Sequence, residues 1–117
     1  MRYRKYNNNS CACRRKHIHQ SRFEARYCDD LDALERAGEI QGYETQVSYD
    51  LKCNGKHITR HIVDFLVTTI NGKREVHEVK GFATAVWPIK RKLFEANFTD
   101  IPYIVIKKRK TEWLKSQ

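Results

Sequence analysis

At 117 residues the chain has the length of one domain, and its 23 Lys and Arg against 14 Asp and Glu leave a net charge of +9, a balance that draws polyanionic partners. Two prolines, five glycines and 40% hydrophobic residues exclude a low-complexity or wholly disordered chain. No apolar run approaches the ~20 residues of a membrane span, and no apolar stretch follows the basic Met1-Arg2-Tyr3-Arg4-Lys5, so a soluble, cytoplasmic protein without a membrane partner is expected.

Residues 1–20 are polar and basic, show no hydrophobic period and read as an arm or irregular lobe, with residues 21–117 as the domain proper. The arm carries Cys11-x-Cys13 and then His17 and His19. With Cys28 these supply enough thiolate and imidazole for a closed tetrahedral Zn²⁺ site, for example Cys11, Cys13, His19 and Cys28. The C-x-C spacing is tighter than that of standard zinc fingers, and Cys28 serves equally as a core residue. Cys53, beside a turn, belongs to neither role. Nothing in the chain marks a secreted disulfide framework.

Ser21-Arg22-Phe23-Glu24 fits a helix-capping box. Phe23, Tyr27, Leu31 and Leu34 recur at helical spacing, and Gly38 suits a helix end, so a helix is predicted over 22–37. The period then changes to two. Tyr43, Val47, Tyr49 and Leu51 read as one face of a strand. Asn54-Gly55 is a hairpin turn signal. A second strand over 57–68 has Ile62 to Val67 as its buried centre, Asn71-Gly72 turns again, and a third strand covers 74–80. Helical spacing returns over 85–98, with Pro88 tolerable in the first turn and a basic face at Lys90, Arg91 and Lys92. Tyr103 to Ile106 is a short apolar strand, Lys107-Lys108-Arg109-Lys110 is a basic run, and residues 111–115 read as a helical turn. The order is αβββαβ in one α/β domain.

Three residues stand in unlikely places. Asp64 interrupts an apolar strand centre, a position that disfavours Asp. Glu78 and Lys80, two apart, point to one side of the third strand. If the neighbouring strand brings Asp64 beside them, two carboxylates converge on a point suited to a hard divalent cation, with an ammonium group close by. Phosphodiester hydrolysis needs such a kit: a metal, a water, and a cation near the scissile phosphate.

Asp64 followed by Glu78-Val79-Lys80, in this element order, resembles the signature of the PD-(D/E)xK nuclease superfamily, as do His61-Ile62-Val63-Asp64-Phe65, His77-Glu78-Val79-Lys80-Gly81 and the segment from Trp87 to Glu95. The likeness is to small phage and bacterial endonuclease-like members, including Holliday-junction resolvases, and covers roughly residues 20–106. It implies a restriction-endonuclease-like core, with a mixed central sheet flanked by helices, and a Mg²⁺- or Mn²⁺-dependent endodeoxyribonuclease. Asp64, Glu78, the Val79 carbonyl and Glu24 would hold the metal. Lys80 would position or activate the water, Gln46 is a weaker candidate for orienting the site, and Lys90 would contact phosphate. The sequence departs from the superfamily's name at Val63, where a proline is usual, and in its Cys/His-rich arm.

Each of these residues also has a plainer role. Glu24 completes a capping box, Asp64 can pair with an arginine at a sheet edge, and Glu78 and Lys80 can form a cross-strand ion pair. Lys90 and Lys92 can be a solvated helix face that touches DNA without being catalytic, and Arg14 and Arg15 a basic arm that contacts DNA phosphates without reading sequence. Two functions from different classes follow. One is a structure-selective or weakly specific DNA endonuclease acting on branched DNA as a homodimer. The other is a non-catalytic nucleic-acid-binding module stabilised by zinc. A third reading is a recombination subunit that cuts only when assembled with a partner.

Overall fold

A computed structural model describes residues 11–12, 18–19, 22–80, 86–109 and 112–116, with side chains over 22–79 and 86–107. Two two-residue strands, β1 (Cys11–Ala12) and β2 (Ile18–His19), pair antiparallel and touch the first helix. The arm is therefore not wholly irregular. Helix α1 (Arg22–Arg36) follows, then β3 (Ile40–Cys53), β4 (Lys56–Thr69), β5 (Arg74–Lys80), helix α2 (Trp87–Asn97), β6 (Tyr103–Arg109) and β7 (Glu112–Ser116).

Helix α1 ends as its sequence dictates. Gly38, at φ +78, donates its N–H to Glu35, and Glu39 donates to Leu34, which satisfies two of the last carbonyls. The amphipathic reading of α1 holds for Tyr27, Cys28 and Leu31, which are buried, whereas Leu34 is 39% exposed because the helix runs past the edge of its core there. At the β3–β4 turn Asn54 and Gly55 both take positive φ, 53° and 77°, the combination that matches the right-handed twist of a two-residue hairpin.

The five longer strands form one mixed sheet in the order β3-β4-β5-β6-β7. Only β5 and β6 run parallel, and α2 lies in the crossover between them. The alternation along β5 and β6 sorts side chains to two faces. On one, Phe65, Val67, Ile104 and Ile106 pack against Ala25, Tyr27, Cys28 and Leu31 of α1. On the other, Leu66, Val76, Tyr103 and Val105 pack around the fully buried Phe94 of α2. The molecule is thus an α/β domain with a helix on each face of a mixed sheet.

Three sequence expectations are corrected. Residues 112–116 form a strand rather than a helical turn: so short a segment cannot nucleate a helix alone, and pairing with β6 satisfies its backbone. Tyr43 does not share a core with Val47, Tyr49 and Leu51, and Ile62 is 45% exposed rather than central. The last two have one cause. Val63 and Phe65 are both fully buried and would share a face in a flat strand, yet Val63 packs in the α2 core and Phe65 in the α1 core. The β3–β4 ribbon turns over between them, at Asp64. Across from Asp64, between the pairs Thr45–Phe65 and Val47–Val63, stands Gln46, held at φ +55. A non-glycine residue in that region is a local cost accepted at the turnover.

Candidate functional site

The turnover is also where the β4–β5 ladder stops. Its last backbone pair is Phe65–His77. One step further, where Asp64 would face Glu78, the two strands are joined through side chains instead. Asp64 Oδ2 accepts the Val79 N–H at 2.9 Å, and the Asp64 N–H donates to Glu78 Oε1 at 3.1 Å. Each carboxylate takes the place of a missing backbone partner and is fixed by it. Asp64 is half-buried and Glu78 is 6% exposed.

Two carboxylates brought together with so little water are costly unless a cation, a proton or several N–H groups offset their charge. The pairing is local in origin: β5 alternates Val76 and Glu78 to one side, and Val76 is buried on the α2 face. Lys80 is the last residue of β5, two beyond Glu78 and paired with Lys107 of β6. Its side chain lies outside the described residues.

Glu24 joins from α1. It is 5% exposed although charged, and its Oε2 accepts from Gln46 Nε2 at 2.8 Å. Gln46 stands across the ribbon from Asp64, so the bonded pairs Glu24–Gln46 and Asp64–Glu78 meet at the same level of the ribbon. The capping-box reading of Glu24 turns on Ser21, which lies outside the described residues.

Residues that sequence reasoning did not single out as functional surround these pairs. Tyr103 lies on β6. Burial above all, and then the charge of Glu78, hold its hydroxyl proton well above the usual phenol range, with Asp64 adding to the effect. Its hydroxyl is hydrogen-bonded to His61 Nε2 at 2.8 Å, and the two rings stack at 15°. The Arg91 guanidinium sits 5.2 Å from the centre of the Tyr103 ring and 5.8 Å from that of Trp87, and donates to the Tyr103 carbonyl at 3.3 Å. The i, i+4 spacing of Trp87 and Arg91 was the sequence signal for this stack.

On the other side of β5, the Tyr27 hydroxyl meets His77 Nδ1 at 2.5 Å, and His77 Nε2 meets Glu75 Oε1 at 3.0 Å. With Glu75 ionised and acceptor-only, Nε2 carries the proton of a neutral His77, and Tyr27 donates to Nδ1. Burial first, and the charges of Asp30 and Glu75 next, push the Tyr27 phenol well above its ordinary range. This chain of bonds ties α1 to β5 one residue from Glu78.

The remaining predicted residues divide. Lys90 is half-buried and Lys92 exposed on α2. Arg14, Arg15, Cys13 and His17 lie outside the described residues. Cys11 and His19 face each other across β1 and β2. Cys28 is fully buried in the α1 core with its thiol 3.7 Å from the Tyr43 hydroxyl, which suits the core role foreseen for it. Cys53 is exposed.

Among the described residues no three His, Cys, Asp or Glu side chains gather into a metal-binding group. Asp64 and Glu78 offer a two-carboxylate set of hard oxygen donors, which fits Mg²⁺ or Mn²⁺, ions that fill their remaining positions with backbone oxygens and water. No helix among the described residues is long and apolar enough to cross a membrane. No curated protein matches the chain. A family model described as "Protein of unknown function (DUF1064)" matches residues 3–112, nearly the whole sequence, and the protein belongs to that family.

Proposed function

We propose that the protein is a metal-dependent DNA endonuclease of the PD-(D/E)xK type, built on a restriction-endonuclease-like core. The observation that carries the reading is the pair Asp64–Glu78, cross-bonded through the backbone at the point where the β4–β5 ladder ends. Backbone pairing would join the strands at this point without any acid, and two neighbouring carboxylates are what a divalent ion requires. The αβββαβ order with a parallel β5–β6 pair and the net charge of +9 agree with it.

In this reading Asp64 and Glu78 would hold Mg²⁺ or Mn²⁺, which when bound would supply Lewis acidity toward a water and the phosphate. The protein's own groups do the rest. Lys80, at the end of β5, orients the water and offsets charge that develops on the phosphate oxygens. The water oxygen bonds to phosphorus in line, its proton passes to a base, the opposite P–O ester bond breaks, and the departing oxygen takes up a proton. Glu24, fixed by Gln46, supports the water or the ion from the helix side. In this reading the substrate is branched or weakly specified DNA and the working form a homodimer.

Purified protein should nick plasmid or cut a four-way junction in Mg²⁺ or Mn²⁺. Asp64→Ala and Lys80→Ala should abolish cutting and leave DNA binding intact. Protein that binds DNA but never cuts it, across several metals and substrates, is a binding module instead, and the nuclease reading is then wrong.

A further inference from the structure

Beyond Gln46 and Asp64 the β3–β4 ribbon leaves the sheet. β5 pairs with β4 from Phe65 to Thr68, so positions 47–63 continue, among the described residues, as a two-stranded ribbon for ~23 Å. One face of this ribbon is packed. Val47, Tyr49, Leu51 and Val63 lie in the α2 core, and the Tyr49 ring contacts Phe94 and Phe98 at 5.0 and 4.9 Å. Asn97, at the end of α2, pins the ribbon near its tip: its Oδ1 accepts the Lys52 N–H at 2.9 Å and its Nδ2 donates to the Lys52 carbonyl at 3.0 Å. The ribbon is therefore a braced projection.

Its other face is open. Ser48, Asp50, Lys52, His57, Arg60 and Ile62 are all exposed. Ile58 is the extra residue of a bulge, left unpaired between Leu51–Thr59 and Lys52–His57, and it is 52% exposed. A bulge sharpens the right-handed twist of a ribbon. Lys52 and Arg60 stand against one carboxylate, Asp50, which is already bridged to His57 at 3.0 Å. This surface is cationic on a chain of net charge +9, so a second copy would meet it with like charge, whereas a polyanion is complementary.

We propose that the open face of the β3–β4 ribbon docks in the major groove of duplex DNA. The major groove, about 12 Å wide, admits a two-stranded ribbon as it stands, whereas the minor groove, about 6 Å wide, must be deformed to take one. Lys52 and Arg60 meet phosphates along the groove walls, while Ile58 and Ile62 pack on thymine methyls and sugars. Along β4, Ile62 is ~7 Å and Arg60 ~13 Å from Asp64. A duplex held by the ribbon therefore runs past the carboxylate pair. The inference deepens the nuclease reading and rests on it for the choice of DNA.

The test is fluorescence anisotropy with a labelled duplex and a labelled four-way junction, in EDTA, over a range of salt. Lys52→Ala/Arg60→Ala should weaken binding about tenfold or more and lower the slope of log affinity against log salt by about 2, since each lost phosphate contact removes roughly 0.9. Ile58→Ala/Ile62→Ala should weaken binding several-fold with the slope unchanged. The altered side chains are exposed, and a thermal melt confirms that both variants fold. If both bind like the parent with the same slope, the ribbon does not hold DNA. If the isoleucine pair instead converts a dimer to monomer in sedimentation and leaves DNA binding alone, the face is an interface between copies and the proposal fails. Loss of binding in these variants, in a protein that never cuts, upholds the ribbon and removes the nuclease reading. A parent protein that binds neither DNA overturns both.

Discussion

Replacing Asp64 separates a metal-binding carboxylate from a structural one without any activity assay. Asp64→Asn keeps an oxygen that can accept the Val79 N–H and keeps the Asp64 N–H that donates to Glu78. It removes one of two neighbouring like charges; a pair in near contact at an effective dielectric of ~20 repels by up to about 4 kcal/mol. The half-exposure of Asp64 and the weaker neutral hydrogen bond discount most of that. The variant should therefore be as stable as the parent or more stable by about 1 kcal/mol, a rise in Tm of about 4 °C. Asp64→Ala leaves the Val79 N–H without its acceptor and should lose about 1–3 kcal/mol. Mg²⁺ at a hundred times its Kd should stabilise the parent by about 2.7 kcal/mol, roughly 10 °C, and should do nothing for either variant. Differential scanning fluorimetry with and without Mg²⁺ reads all of these values. An Asn variant that loses more than about 2 kcal/mol, together with a Mg²⁺ shift that persists in it, would show that Asp64 is a strand-joining residue and not a ligand.

Three further outcomes are expected. In the unfolded chain Tyr27 and Tyr103 ionise as the pH passes their ordinary value of 10, whereas in the fold both keep their protons. The unfolded state then binds fewer protons, so stability present below pH 10 falls as pH rises above it, by up to about 1.4 kcal/mol per unit for each tyrosine. Tyr27→Phe and Tyr103→Phe should each remove one such contribution to the slope in denaturant titrations at alkaline pH, and an unchanged slope would refute the assignment. Near neutral pH, Tyr27→Phe takes the hydroxyl from His77 Nδ1 and should lower stability by about 1–2 kcal/mol in urea unfolding. Asn97→Ala should raise amide exchange at Lys52 and its neighbours while costing about 1 kcal/mol globally, and unaltered exchange would mean that α2 does not brace the ribbon.

Much of the fold was legible because it is written in local terms. Gly38 and Asn54-Gly55 adopt the left-handed backbone that their residue types allow, and the elements fall near the ends that these signals mark. The carboxylate pair was legible for a related reason: an Asp amid Val63, Phe65 and Leu66, and a Glu between Val76 and Lys80, are costly choices that strand propensity does not explain. What escaped was decided between elements. Nothing in the alternation of Tyr43, Val47, Tyr49 and Leu51 says that the ribbon turns over midway, because the period of two continues through the crossing. Strand β7 exists because β6 offers an edge. The contact of Arg91 with Tyr103 and the bond between Tyr27 and His77 join residues distant in sequence, so each looked like ordinary core or surface.

The turnover at Gln46 and Asp64 accounts for the site and the open ribbon together. A sheet strand that keeps one face inward along its length has no place for two acids, because every inward position is claimed by a core. When the ribbon turns over, its inward side passes from the α1 core at Phe65 to the α2 core at Val63. The residue at the crossing belongs to neither core, its backbone partner on β5 is lost, and a carboxylate there can bond to a neighbouring backbone N–H without displacing an apolar side chain. The same rotation turns the side of β4 that carries Leu66 inside the sheet outward at Ile62 and Arg60. An exposed cationic ribbon and a pinned pair of acids are thus two consequences of one backbone event, and a change that straightens the ribbon should affect both. Gln46→Gly, which relieves the positive φ and removes the bond to Glu24, tests this directly: it should alter DNA affinity and Mg²⁺ stabilisation together, and a variant in which only one of them moves would show that the two features are independent.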